Sequence, residues 1–145
     1  MRTAILCALI GFVTQTAAQQ PVKKDLERLQ GAWIMVALEV DGKPVPEDKI
    51  KDTKLVIKDN KYITQVKGKS YETTFTLDPG KKPKAIDMVF GEGDKKDQVL
   101  RGIYELDGDT LKICRGLRPE QERPTEFGTW PDTGVFMVTW KRQMP

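Results

Sequence analysis

The chain has 145 residues, of which 39% are hydrophobic and 31% charged, with a formal net charge of +3 and no histidine. A chain of this length predicts one domain with its own hydrophobic core. The lack of histidine excludes Ser-His-Asp and Cys-His catalysis, histidine metal sites and histidine pH switches. The lysine pairs are scattered among acidic and turn residues, so we expect no nucleic-acid partner.

The first 18 residues have the pattern of a secretory signal peptide. Arg2 gives a basic start, residues 4–13 are almost wholly apolar, and Thr16-Ala17-Ala18 fits the small-x-small rule of signal peptidase. A buried N-terminal helix is the alternative. The apolar run is about ten residues, too short for a membrane span of roughly 20. We predict cleavage after Ala18, export to the periplasm or the extracellular space, and a mature domain of residues 19–145 that spans no membrane.

One short helix and a series of short strands are predicted for the mature chain. Residues 21–30 have the pattern of a helix that Gly31 can end in a left-handed conformation. The period then changes to two, and residues 33–40 are apolar on both faces, which leaves their inward side open. Strands follow at 54–58, 61–66, 71–77, 86–90, 99–106, 111–113 and 135–142, with loops at 43–52 and 115–133.

About eight strands in hairpin order predict an all-β fold. Neighbouring strands joined by short turns, such as Asp59-Asn60 and Asp107-Gly108-Asp109, pair antiparallel. Eight of them can close into a barrel, which removes the exposed sheet edges. An open sheet or a sandwich is the alternative. We therefore expect an eight-stranded antiparallel barrel with a short N-terminal helix.

The tripeptide Gly31-Ala32-Trp33 resembles the Gly-x-Trp signature of lipocalins and the wider calycin group. The resemblance implies a lipocalin-like barrel in which Trp33 closes one end and a basic residue of the last strand packs on it. Lys141 and Arg142 end that strand, and either could be the partner. A guanidinium on an indole offers cation–π attraction and hydrogen bonds to nearby carbonyls.

A second resemblance covers nearly the whole mature chain. The chain is similar to a lipocalin-like domain family of unknown function that is expanded in planctomycetes and is often exported. The family implies a calycin-type barrel in a bacterial envelope, with no established activity or ligand, so no functional residues carry over. The segments that resemble it are Leu29-Gln30-Gly31-Ala32-Trp33, Val40-Asp41-Gly42-Lys43, Leu77-Asp78-Pro79 with 82–87, 102–114, and Arg123-Pro124-Thr125-Glu126-Phe127.

Aromatic and flexible side chains dominate the predicted inward positions. An eight-stranded barrel is near the size at which side chains either fill the interior or leave room for one small ligand. These residues therefore either form a packed core or line a pocket, and buried tyrosine hydroxyls favour a partly polar interior. The predicted ligand-binding residues are Tyr62, Tyr71, Phe75, Met88, Tyr104 and Phe136, with Phe90 on the same face.

No residue set specifies a reaction, so we predict no enzyme, no cofactor and no metal. Cys114 follows the inward Ile113 and is expected on the outer face as a structural thiol. Asp107-Gly108-Asp109 is a hairpin turn rather than a calcium loop. Glu105 has no carboxylate at a defined distance for glycoside hydrolysis.

Two functions remain open for the predicted monomer. The first is an exported lipocalin-like binding module for a small apolar or amphipathic molecule. The second is an envelope protein-interaction or peptidase-inhibitor-like domain that acts through its loops. In the irregular segment before the last strand, residues 123–127 either fold over a barrel mouth as a binding loop or form a structural plug. We favour the plug, with Phe127 in a barrel end and Arg123 paired with Glu126.

Overall fold

The computed structural model describes residues 19–91 and 93–144. The predicted signal peptide, residues 1–18, lies outside them. None of the helices in the described part is long and apolar enough to cross a membrane. The elements are α1 Gln19–Leu29, β1 Gly31–Val40, β2 Lys43–Pro44, α2 Glu47–Ile50, β3 Lys54–Lys58, β4 Lys61–Val66, β5 Lys69–Asp78, β6 Ala85–Phe90, a 3-10 turn Gly93–Lys95, β7 Val99–Asp107, β8 Thr110–Gly116 and β9 Val135–Arg142.

The strands form a closed antiparallel barrel. From β3 onward each strand pairs with the next in sequence, and β1 joins both β3 and β9. The predicted eight-stranded barrel with one helix before it is confirmed, with β2 as an extra strand on β1. The loop predicted at 43–52 instead holds β2 and the single turn α2, because Ile50 is buried and pins that turn against the barrel.

Strand β1 changes its inward face part of the way along. Trp33 and Met35 contact the core, then the pairing with β9 shifts between Met35 and Ala37, and Leu38 contacts the core next. Val36, at the shift, is 47% exposed. An extra residue in one strand moves each later side chain to the opposite face. This bulge explains why residues 33–40 are apolar on both parities.

One end of the barrel is sealed by α1, Trp33 and Arg142, and we call it the closed end. Trp33 is fully buried and its indole N–H donates to the Leu29 carbonyl at 3.0 Å. The Arg142 guanidinium lies 4.2 Å from the Trp33 ring centroid and donates to the carbonyls of Gln30, at 2.9 Å, and Arg28. Arg142 thus joins the last strand to the end of the helix.

Two neighbours of this seal differ in their roles. Gly31 links α1 to β1 with φ +116°, a conformation that residues with a side chain rarely adopt. Side chains alternate between the two faces of β9, so Lys141 points outward and is exposed, whereas its neighbours Trp140 and Arg142 lie on the opposite face. Of the two basic residues that end the chain's last strand, the structure brings Arg142 and not Lys141 onto Trp33.

Residues 117–134 pack against the outside of the barrel. Cys114 is on the outer face, yet it is fully buried, with its thiol 3.4 Å from the Gly128 carbonyl. Burial raises the pKa of the Cys114 thiol, which keeps it protonated. The Thr129 hydroxyl donates to Glu39 and accepts from the Gly42 N–H at 2.9 Å. The segment is therefore tied to the end of β1.

Arg123 has a different partner from the predicted one. Its guanidinium lies 2.8 Å from the Asp87 carboxylate and donates to the Gly102 carbonyl at 2.8 Å. The predicted Arg123–Glu126 pair is therefore wrong, because strands β6 and β7 present both a carboxylate and free carbonyl lone pairs to this side chain. The expectation that Phe127 plugs a barrel end is also wrong, because Phe127 is half-buried outside the core and lines an open surface hollow together with Pro83 and Leu106.

We expect Trp33→Ala to lower the free energy of unfolding by about 3–5 kcal/mol, since it removes the largest side chain of the closed end and leaves a cavity. Chemical denaturation followed by circular dichroism measures this. Trp130→Ala is the matched control, because Trp130 is 46% exposed and its loss should cost little. A cost under about 1 kcal/mol for Trp33→Ala would contradict its role in the seal.

Candidate functional site: the open end of the barrel

The barrel is packed at its closed end and through its middle. The space enclosed by Leu29, Phe75, Tyr104 and their neighbours on β3, β4, β6 and β8 has no room for a water molecule. The residues around this packed space are Leu29, Ile57, Tyr62, Phe75, Ile86, Tyr104, Leu111 and Ile113, and Trp33 and Leu55 are buried in the same core. The interior cavities found among the described residues lie toward the other end, which we call the open end.

Two adjoining cavities lie at the open end. The first, the β5 chamber, has a volume of about 230 Å³, with Tyr71, Thr73, Phe90 and Leu100 on its walls.

The second cavity, the β9 chamber, has a volume of about 140 Å³ and walls from Met35, Phe136, Val138 and Trp140. Four residues line both chambers: Tyr62, Thr64, Met88 and Arg115.

The predicted ligand-binding residues divide between the chambers and the packed core. Tyr62 and Met88 line both chambers, Tyr71 lines the β5 chamber, and Phe136 lines the β9 chamber. Tyr71 stands at the rim, where it is 58% exposed. The other two predicted residues, Phe75 and Tyr104, lie in the packed region instead. The structure thus brings four of the six to the open end.

Arg115 is the charged residue of this site, and the aromatic pattern did not single it out. The predicted loop 115–133 is wrong at its start, because β8 continues to Gly116 and carries Arg115 on its inward face after Leu111 and Ile113. Alternation along the strand is the signal that could have found it. Its guanidinium carbon lies 4.1 Å from the Phe136 ring centroid, and Nη1 donates to the Gly116 carbonyl at 3.0 Å. Burial lowers the pKa of Arg115 to about 10, so it stays cationic at neutral pH.

Gly102 makes room for Arg115 inside the barrel. The two residues are cross-strand partners on β7 and β8. A Cβ atom at position 102 would lie 2.8 Å from the Arg115 Cβ and 2.9 Å from the Cys114 carbonyl oxygen. Both distances are shorter than ordinary contacts, and one of the atoms belongs to the backbone. A glycine is therefore required opposite the arginine.

Trp140 adds a second donor to the β9 chamber. The residue is buried, and its indole N–H makes no hydrogen bond of normal geometry among the described residues, although it lies near enough to the Tyr62 hydroxyl to act on the pKa of that group. Its ring meets the Tyr62 ring edge to face, with centroids 6.3 Å apart. Burial raises the pKa of Tyr62, so its hydroxyl is neutral. The open end thus combines apolar walls with a guanidinium and an indole N–H.

A separate polar cluster at the closed end explains why Tyr104 is not part of the chambers. The buried Asp25 of α1 accepts hydrogen bonds from the Tyr104 hydroxyl at 2.7 Å and from Lys84 at 2.8 Å. Burial alone would raise the pKa of Asp25, but these bonds and the charges of Lys84 and Arg28 outweigh it and lower the pKa below 3.8. The cluster holds α1 against the barrel.

The hollow of about 430 Å³ beside α1 is larger than either chamber but is a weaker candidate site. It is open to solvent, and it is lined by Lys24, Asp25, Arg28 and Lys84 with two residues from the start of the helix. Asp25 already neutralises Lys84 and lies 3.9 Å from Arg28. The Asp25–Lys84 pair of this hollow therefore holds α1 on the barrel, while the Arg28–Asp25 contact lies within the helix.

No family model, curated protein or solved structure matches this chain. The described residues bring together no group of three or more Cys, Asp or Glu side chains that could hold a metal ion. The fold and the site together define a closed antiparallel β-barrel with a packed closed end and a cationic cavity at its open end.

We expect Asp25→Asn to destabilise the protein by about 2 kcal/mol at pH 7, because it removes a charged acceptor of two hydrogen bonds. The pKa of Asp25 is lower in the folded protein than its ordinary value, so its contribution is complete above about pH 4 and is lost as the pH falls through the folded pKa. Unfolding free energies measured from pH 7 to pH 2 should show the two proteins converging. A gap that stays constant would contradict this.

We expect Gly102→Ala to destabilise the protein by about 1–3 kcal/mol, because the new methyl group overpacks Arg115 and the β8 backbone. Thermal and denaturant unfolding measure the change. Gly91→Ala is the control for loss of a glycine, since a Cβ there meets no atom within 4 Å and the backbone is not in the left-handed region. Equal stability of Gly102→Ala and the natural protein would show that the space opposite Arg115 is not tight.

Proposed function

We propose that this protein is an exported binding module that holds a small apolar or amphipathic molecule in the chambers at its open end. The observation that carries the proposal is the contrast within one barrel: the closed end and middle are packed, while the open end keeps two adjoining apolar chambers. Ligand sites are typically concave and mostly apolar, with a few polar groups that fix orientation.

The size of the chambers limits the occupant. Sites for drug-sized ligands have volumes of about 300–1,000 Å³. The β5 chamber, at about 230 Å³, is smaller and opens to solvent beside Tyr71. We therefore propose that it takes a small molecule, or the end of a longer one whose remainder stays in solvent. Met88, which lines both chambers, is a flexible side chain that can adapt to such a guest.

Export and family membership are part of the proposal. The basic start, apolar run and small-residue exit of residues 1–18 support export. The similarity to the lipocalin-like family expanded in planctomycetes supports a role in a bacterial envelope. We propose that the protein is not an enzyme, because neither the residues nor the resemblance supplies a reaction. We also propose that it is a monomer.

A protein-interaction or peptidase-inhibitor-like function is the second candidate. Leu117 and Trp130, both on the segment that packs outside the barrel, are 43% and 46% exposed. Large apolar side chains on an exposed loop favour contact with another protein. In this alternative the loops act and the open-end chambers stay empty of ligand.

The neutral fluorescent hydrophobe N-phenyl-1-naphthylamine tests the proposed function. We expect saturable binding with one molecule per barrel, followed as an increase in fluorescence. Thr64→Phe should weaken it at least tenfold, because Thr64 lines both chambers and the larger ring fills them. Gln65→Phe adds the same ring to the exposed outer face and should leave binding unchanged.

Two results would count against the binding module. One is the absence of saturable probe binding by the natural protein. The other is equal binding by Thr64→Phe and Gln65→Phe, which would move the probe away from the chambers. Either result would favour the loop surface at Leu117 and Trp130 as the functional face.

A further inference from the structure

We infer that the ligand of the open-end chambers carries an anionic head group, such as a carboxylate or sulfonate, and that Arg115 binds it. The inference rests on the proposed function and names the chemical class of the ligand. The same geometry would serve any compact oxyanion attached to an apolar body.

The charge of Arg115 is not neutralised within the described residues. None of their carboxylates lies within ion-pair distance of its guanidinium, including Asp94 and Asp97 on the loop that joins β6 to β7 at the open end. The arginines that serve the fold are different, because Arg123 pairs with Asp87 and Arg142 pairs with Asp109. A partly buried cation without a counter-charge is costly for the fold. An anionic ligand would offset this cost.

The guanidinium also has unused hydrogen-bond capacity. It carries five N–H donors, and the structure assigns one bond, to the Gly116 carbonyl. The Phe136 ring stacks on it at 4.1 Å and supports its orientation. A planar guanidinium held in this way can bind a carboxylate or sulfonate through two parallel hydrogen bonds.

The lining residues indicate where the head group lies. Arg115 lines both chambers, so the anion is expected at their junction, beside Tyr62 and Thr64. The indole N–H of Trp140, in the wall of the β9 chamber and without a hydrogen bond of normal geometry among the described residues, is a second donor on the same side. The apolar body would then occupy the β5 chamber, with Tyr71 at its rim.

A pair of probes that differ by one sulfonate tests the inference. 1-Anilinonaphthalene-8-sulfonate carries the charge, and N-phenyl-1-naphthylamine has the same ring system without it. We expect Arg115→Met to weaken binding of the sulfonate probe by roughly 10- to 100-fold, the loss typical of a charge-assisted hydrogen bond. Binding of the neutral probe should change by less than about threefold, because Met preserves apolar bulk. Arg118→Met, at an exposed arginine, should affect neither probe.

The outcomes separate the two proposals. If Arg115→Met weakens both probes equally or neither, the anionic head group is ruled out while the binding module stands. If the natural protein binds neither probe, the proposed function fails and the inference fails with it. Should Arg115→Met not fold, competition on the natural protein decides: octanoate should displace the sulfonate probe at lower concentration than octan-1-ol. Equal or stronger displacement by octan-1-ol would overturn the inference.

Discussion

The contact between Arg142 and Trp33 is the constraint on which the rest of the barrel depends. It joins the last strand to the first at the point where the sheet closes, and it caps the end of α1 through two backbone carbonyls. The indole is thereby buried between the helix and the barrel interior. Because α1, Trp33 and Arg142 fill the closed end, a function that uses the barrel interior is expected at the opposite end.

The division between a packed and an open half follows from how polar groups are satisfied. At the closed end, Asp25 accepts hydrogen bonds from Tyr104 and Lys84, which makes a buried carboxylate tolerable and fixes the helix. At the open end, Arg115 donates to one backbone carbonyl but meets no carboxylate among the described residues, and the Trp140 indole N–H makes no hydrogen bond of normal geometry there. Gly102 has no side chain, so it leaves room for Arg115 to enter the barrel and does not itself fill the interior.

Much of the fold was predictable because strands and hairpin turns are encoded locally. Alternation such as that in β5 and turns such as the Asp-Gly turn after β7 predicted the eight barrel strands and their order, but not the short extra strand β2. The bulge in β1 was not predictable, since two apolar parities do not say where an extra residue is inserted. The partner of Arg123 was predicted wrongly because Asp87 is distant in sequence and meets it only through strand pairing.

The sequence by itself determined the all-β class, the order of the barrel strands and most of the inward side chains, since period-two alternation and turn residues act over a few positions. Closure of the sheet between β1 and β9 was decided by the tertiary structure. Tertiary structure alone decided which inward residues pack and which surround a cavity. Tyr104 and Tyr62 occupy equivalent inward positions, yet one meets a helix carboxylate and the other lines the chambers. The difference arises from closure of the barrel, which places α1 over one end and leaves Arg115 beneath the other.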